Sequence, residues 1–140
     1  MSNLSARNQL RGTVSTIVTG GVMAEVTVDV DGNELVAVIT RHSVERLDLQ
    51  DGDEVTVLVK ATEVMLAKGS TRHDELSTRN QIPGKVKAIT LGSVMAEATV
   101  AVDDNDIVAA VTRQSVERLG LREGDDVLVL VKATEVMLAK

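Results

Sequence analysis

A chain of 140 residues can form one domain or two small ones, and its 44% hydrophobic and 26% charged residues are ordinary for a soluble globular protein. The net charge of −6 and the absence of aromatic residues argue against a nucleic-acid binder, which needs basic patches and, for single strands, stacking platforms. The lack of cysteine excludes disulfides and thiolate sites, and with no membrane span or secretory leader in the sequence we expect a cytoplasmic protein.

The first half of the chain is predicted to consist mainly of short strands. Five strands are predicted, at residues 12–19, 23–30, 35–39, 55–59 and 64–66. The second strand alternates most clearly, with Val26 and Val28 on one face and Thr27 on the other. Turn signals with the sequences DGN and DGD stand at residues 31–33 and 51–53.

Only residues 41–47 look helical. Thr40 or Ser43 can cap this helix, and Val44 and Leu47 give it an apolar face. Five short strands with one helical turn between the third and the fourth are typical of a small, partly open Greek-key barrel. The sequence therefore predicts an all-β fold.

The second half of the chain repeats the first. Residues 5–68 align with residues 77–140 without a gap, and roughly two-thirds of these positions are identical. Residues 69–76 are polar, open with Gly and Ser, and have the composition of a linker. We predict two tandem barrel domains, at 1–68 and 77–140. Since a copy of about 64 residues buries too little surface to be stable alone, we also expect an oligomer.

Neither copy offers a repeated catalytic or metal-binding group. Gln114 takes the place of His42 in the second copy, and His73 lies in the linker. The repeated carboxylates do not follow the calcium-loop pattern, and no phosphate-binding glycine motif is present. Methionines at strand positions are interpreted as core filler rather than metal ligands. The sequence predicts no enzyme, no cofactor and no bare metal cation, although work by paired carboxylates stays open.

A set of hydrogen-bond donors recurs in both copies, before the first strand, at the start of the helix and after the fourth strand. Its members are Ser5, Arg7, Thr40, Ser43, Lys60 and Ala61 in the first copy, and Ser77, Arg79, Thr112, Ser115, Lys132 and Ala133 in the second. Hydroxyls, a guanidinium, an ammonium and backbone N–H groups at a helix start together suit a tetrahedral dianion. The same residue types are more often ordinary helix caps and surface charges, so both interpretations stand.

At these residues the sequence resembles the molbindin family, and specifically the two-domain molbindins. The markers are SARNQ at 5–9, the pattern T-x-x-S-V-x-R-L at 40–47 and VKATEV at 59–64. All three recur in the second copy, where the first motif has Thr78 at the position of Ala6. The resemblance implies a cytoplasmic protein that stores molybdate or tungstate for molybdenum homeostasis, barrels of the oligonucleotide-binding (OB) type, and a trimer. An oxyanion-sensing adaptor that signals to a partner protein is the alternative, and a structural β oligomer with incidental anion affinity is a third interpretation.

The resemblance also implies where the anions bind. Sites would lie between neighbouring domains, with Ser5, Arg7, Lys60 and Ala61 from one domain and Thr40 and Ser43 from its neighbour. The second copy offers the equivalent residues. Candidates for additional sites near a three-fold axis are Asn8, Val22, Met23, Ala24, Asn80, Val94, Met95 and Ala96.

Overall fold

The computed structural model describes residues 3–140 and contains two curled, five-stranded antiparallel sheets. The first half of the chain forms β1 (Asn8–Thr19), β2 (Met23–Val30), β3 (Asn33–Thr40), the helix α1 (Arg41–Arg46), β4 (Glu54–Val59) and β5 (Met65–Lys68). The second half forms β6 (Asn80–Leu91), β7 (Met95–Val102), β8 (Asn105–Thr112), α2 (Arg113–Leu119), β9 (Asp126–Val131) and β10 (Met137–Ala139). Short 3-10 turns, Ala61–Glu63 and Ala133–Glu135, precede β5 and β10. The predicted fold class, two OB-like five-stranded barrels each with one short helix, is confirmed.

The first strand of each repeat is longer than predicted and strongly curled. β1 begins at Asn8 and pairs with β4 in its first half and with β2 in its second half. Gly12 lies where the strand passes close to β2, since a Cβ atom there would come within 2.6 Å of the Val28 side chain. A register shift between Val14 and Thr16 adds a bulge. Bulges and strand glycines are the usual means by which a strand bends into a barrel.

The fifth strand of each sheet comes from the other repeat. β10 pairs with β4, with Met137 opposite Leu58, whereas β5 pairs with β9, with Met65 opposite Leu130. The strand orders are β10-β4-β1-β2-β3 and β5-β9-β6-β7-β8. The turn Ala133–Glu135 and β10 also contact β3, so the exchanged segment closes the barrel on its open side. Each barrel is therefore built from both repeats.

This exchange changes what the predicted boundaries mean. Residues 1–68 and 77–140, with the linker at 69–76, mark the two duplicated units along the chain, but a unit lacks the last strand of the sheet that it starts. The segment LVKATEVMLAK is identical in the two copies, so either β5 or β10 offers the same side chains to either sheet. As domain limits, these boundaries stay a prediction.

The apolar interior is one continuous cluster that runs through both repeats and consists of Val, Ile, Leu and Ala. The four methionines at strand positions do not belong to it, so the prediction that they fill the core is wrong. Met23, Met65, Met95 and Met137 each expose 41 to 45% of their surface. Each stands at the first position of its strand, where the sheet margin meets solvent.

Candidate anion-binding site

Four of the predicted residues line one cavity at the boundary between the repeats. Ser5, Arg7, Lys60 and Ala61 surround a space of about 500 Å³, together with Glu97 of the other repeat. Arg7 and Lys60 are exposed at its mouth, whereas Ala61 is buried in the first position of its 3-10 turn. The structure thus brings together a hydroxyl, a guanidinium and an ammonium, which are the side-chain donors that an oxyanion requires.

Strand pairing explains why Arg7 and Lys60 are neighbours. Asn8, the first residue of β1, pairs with Val59, the last residue of β4. The residues just outside this pair are Arg7 and Lys60, which therefore leave the sheet side by side. In the second repeat Asn80 pairs with Val131, so Arg79 and Lys132 are juxtaposed in the same way.

A buried asparagine at each of these strand starts joins it to the other repeat. The Asn8 amide donates to the Val108 carbonyl at 2.9 Å and accepts from the Val108 N–H at 2.7 Å. The Asn80 amide makes the equivalent pair with Val36, at 2.8 Å in both directions. They are the only buried polar side chains among residues 3–140. Their amides thus act as short pieces of strand backbone that dock one repeat onto the edge of the other.

Each site arginine forms an ion pair with a glutamate of the other repeat. Arg7 Nη1 lies 2.9 Å from Glu97 Oε2, and Arg79 reaches both carboxylate oxygens of Glu25 at 3.3 Å. A guanidinium has five N–H donors, so either pair leaves donors for a ligand. Sequence reasoning did not identify Glu25 and Glu97 as partners of these arginines, because alternation along a strand gives no sign of a contact with the other repeat.

Thr40 and Ser43 are not brought to this cavity. The Thr40 hydroxyl accepts from the Ser43 N–H at 3.1 Å and donates to the Ser43 hydroxyl at 2.9 Å, so the two residues cap α1. Thr112 and Ser115 cap α2 with the same contacts. Within one chain, these hydroxyls do not converge with the arginine and lysine.

The candidates for axial sites fall into three groups. Asn8 and Asn80 have both amide functions engaged in the contacts between repeats. Ala24 and Ala96 are buried in the core. Val22, Met23, Val94 and Met95 are exposed at the tips of the β1–β2 and β6–β7 hairpins, and Val22 exposes 76% of its surface. Only this last group offers surface to another molecule.

The cavity also includes a hydroxyl that sequence reasoning missed. Thr62 lines it, directly after Ala61 in the closing motif VKATEV.

Within residues 3–140, no group of three or more His, Asp or Glu side chains could hold a metal ion. None of the helices in that range is long and apolar enough to cross a membrane.

Comparisons with known proteins agree along the chain. The model of the TOBE domain matches residues 4–66 and again residues 76–138. The molybdenum transport protein ModE of Azotobacter vinelandii is 40% identical over 137 residues, which cover 96% of this chain and 50% of that protein. The molybdenum-pterin-binding protein MopA of Rhodobacter capsulatus is also 40% identical over 137 residues, which cover 96% of this chain and 51% of that protein. The chain spans about half the length of these curated relatives.

One solved structure is similar over its full length. The cytoplasmic molybdate-binding protein ModG, in a crystal form with molybdate bound, superposes with a TM-score of 0.93 at 40% sequence identity. The match covers 98% of this chain and 98% of that chain.

Proposed function

Because this chain belongs to the TOBE-domain family and carries one such domain in each repeat, we propose that it binds and stores molybdate as the intact oxyanion. The resemblance to the two-domain molbindins is confirmed by these matches. The observation that supports the proposal most is the cavity where Ser5, Arg7 and Lys60 converge. Its ligand is an anion that is held and released unchanged, and the protein acts as a binding protein rather than as an enzyme.

The chemistry of the donors accounts for selectivity. Molybdate at neutral pH carries two charges and no proton, so it only accepts hydrogen bonds. The side-chain donors of Ser5, Arg7 and Lys60 suit an anion that only accepts, and they suit a protonated phosphate less, because one of its oxygens must donate a bond. Sulfate has the same charge and is rejected by size alone. Tungstate, which is nearly as large as molybdate, binds about as well.

A complete site requires a second copy of the chain. Thr40 and Ser43 lie outside the cavity of their own chain, and we propose that the helix starts of a neighbouring copy complete the anion's shell in a homotrimer. Exposed apolar side chains at the hairpin tips, Val18, Val22 and Met23, support such an assembly. The equivalent tip of the second repeat supplies the same kind of surface. Additional anions near the three-fold axis would meet these tips.

The proposal places the protein in the cytoplasm, with neither nucleic acid nor membrane as a partner. ModG, whose fold matches over the whole chain, is a cytoplasmic protein. A sensor or adaptor that passes the anion's presence to a partner is the second candidate. The observation in its favour is that curated relatives such as ModE are about twice as long as the matched region.

Calorimetric titration of site variants tests the proposal. Arg7→Ala removes a charged hydrogen-bond donor, which weakens molybdate binding at that site by about ten- to a hundredfold. Arg79→Ala does the same at the second site. Arg11→Ala is the matched control, since Arg11 is exposed and lies outside the cavity. Unchanged affinity in Arg7→Ala and Arg79→Ala, with the fold intact by circular dichroism, contradicts the assignment.

A further inference from the structure

Each candidate site contains a carboxylate next to its arginine. Glu97 projects from β7 into the cavity and contacts Arg7, while Glu25 projects from β2 and contacts Arg79. An acidic side chain in a cavity for a dianion opposes the ligand, since two like charges repel. This carboxylate occurs at both sites, at equivalent positions of the two repeats.

We propose that Glu97 and Glu25 are built-in competitors of the oxyanion. Each carboxylate pairs with its arginine as a counter-anion, and during binding the oxyanion takes over that guanidinium. The glutamates thereby lower the affinity and speed the release of the ligand, as a store that must give up its content requires. This inference rests on the proposed function, because it concerns the same site.

The alternative role, in which the glutamate positions the arginine, has less support in the contacts. The backbone at Arg7 is already fixed, because the neighbouring Asn8 pairs with Val59 and clamps Val108 through two hydrogen bonds. The ion pair is half exposed, with 52% of the arginine and 48% of the glutamate side chain accessible. Exposed pairs of this kind hold their partners only weakly.

The charge balance of the cavity favours competition. Arg7 and Lys60 bring two positive charges, and Glu97 cancels one of them. Within residues 3–140, Arg7 is the only ion-pair partner of Glu97, so the carboxylate engages the same guanidinium as the proposed ligand. A unit charge about 6 Å from a dianion, with the full screening of bulk water, corresponds to a change in affinity of roughly tenfold.

The test is a calorimetric titration of the 140-residue chain with sodium molybdate at constant ionic strength. The release rate is measured separately, by diluting the loaded protein and following the loss of bound molybdate over time. Glu97→Gln keeps the shape and removes the charge, and it is expected to bind about tenfold more tightly and to release more slowly. Glu25→Gln is expected to do the same at the second site. Glu54→Gln is the matched control, since Glu54 forms an exposed ion pair with Arg11 outside the cavity.

Glu97→Ala removes the side chain together with its charge and serves as a second variant without the carboxylate. Tighter binding by both Glu97→Gln and Glu97→Ala supports competition, because both lack the carboxylate. Weaker or equal binding by the two variants, in a protein whose wild type binds molybdate, overturns the competitor role and leaves the proposed function intact. If wild type and all variants give no heat, the proposed function itself fails.

Discussion

Replacing Asn80 by Ala is expected to be among the most destabilising single changes in a polar residue of this chain. The Asn80 side chain is only 1% exposed, and its amide satisfies both the N–H and the carbonyl of Val36. Val36 lies on β3, where Thr27 of β2 is its partner on the other side. Each buried backbone group left without a partner costs about 1–3 kcal/mol, so losing two costs about 2–5 kcal/mol once partial hydration is allowed for. That is a large part of the stability of a small protein, about 5–15 kcal/mol.

Asn105→Ala provides the matched control. The Asn105 amide also bridges the repeats, with a hydrogen bond of 2.7 Å to Asp31, but this contact is exposed. Water replaces an exposed contact, so the expected loss is below about 1 kcal/mol. Urea unfolding is followed by far-UV circular dichroism, because the chain has no Trp or Tyr for fluorescence. Equal protein concentrations are used, so that any contribution of assembly to stability is the same in all samples. A loss in Asn80→Ala no larger than in Asn105→Ala would show that the buried amide stabilises the protein no more than the exposed one.

Two further predictions concern the stability of the fold. Gly12→Ala places a Cβ atom 2.6 Å from the Val28 side chain and is expected to cost about 1–3 kcal/mol in urea unfolding, whereas Gly21→Ala, with no atom within 4 Å of the new Cβ, should cost far less. Hydrogen bonds from the Lys140 ammonium and the Gln50 N–H hold the pKa of Asp53 below its ordinary value of 3.8. Because the pKa is lower in the folded state, the ionised Asp53 stabilises the protein above about pH 4, and this stabilisation is lost as the pH falls through the folded-state pKa. The loss of unfolding free energy in Lys140→Gln relative to wild type should therefore shrink on acidification. A loss that does not change with pH contradicts this.

Local patterns predicted most of the fold. Alternating Val residues gave β2, and the sequence DGN predicted a tight hairpin turn, which the structure forms with positive φ at Asp31 and Gly32. The sequence also offered Thr40 or Ser43 as the cap of the helix. In the structure Thr40 is the cap, because its hydroxyl accepts a hydrogen bond from the N–H of Ser43. These features depend on residues within a few positions of one another.

The contacts between repeats could not be predicted from the sequence. The last strands are identical in LVKATEVMLAK, so no side chain indicates which sheet each one joins. Asn8 and Asn80 stand at strand starts, where a polar residue usually faces water, and only the close approach of the other repeat buries them. The donors of the candidate site were recognised from the sequence. Glu25 and Glu97 were not, because they reach these donors only through the contact between the repeats.

Molybdate storage is tested most directly by counting bound anions with native mass spectrometry, on protein equilibrated with molybdate in a large excess of sulfate. We expect a trimer that retains molybdate at the Arg7 and Arg79 sites and carries fewer anions in the combined variant of Arg7→Ala and Arg79→Ala. An assembly that carries no molybdate in the presence of sulfate, or one that carries as much in the variant as in wild type, contradicts this expectation.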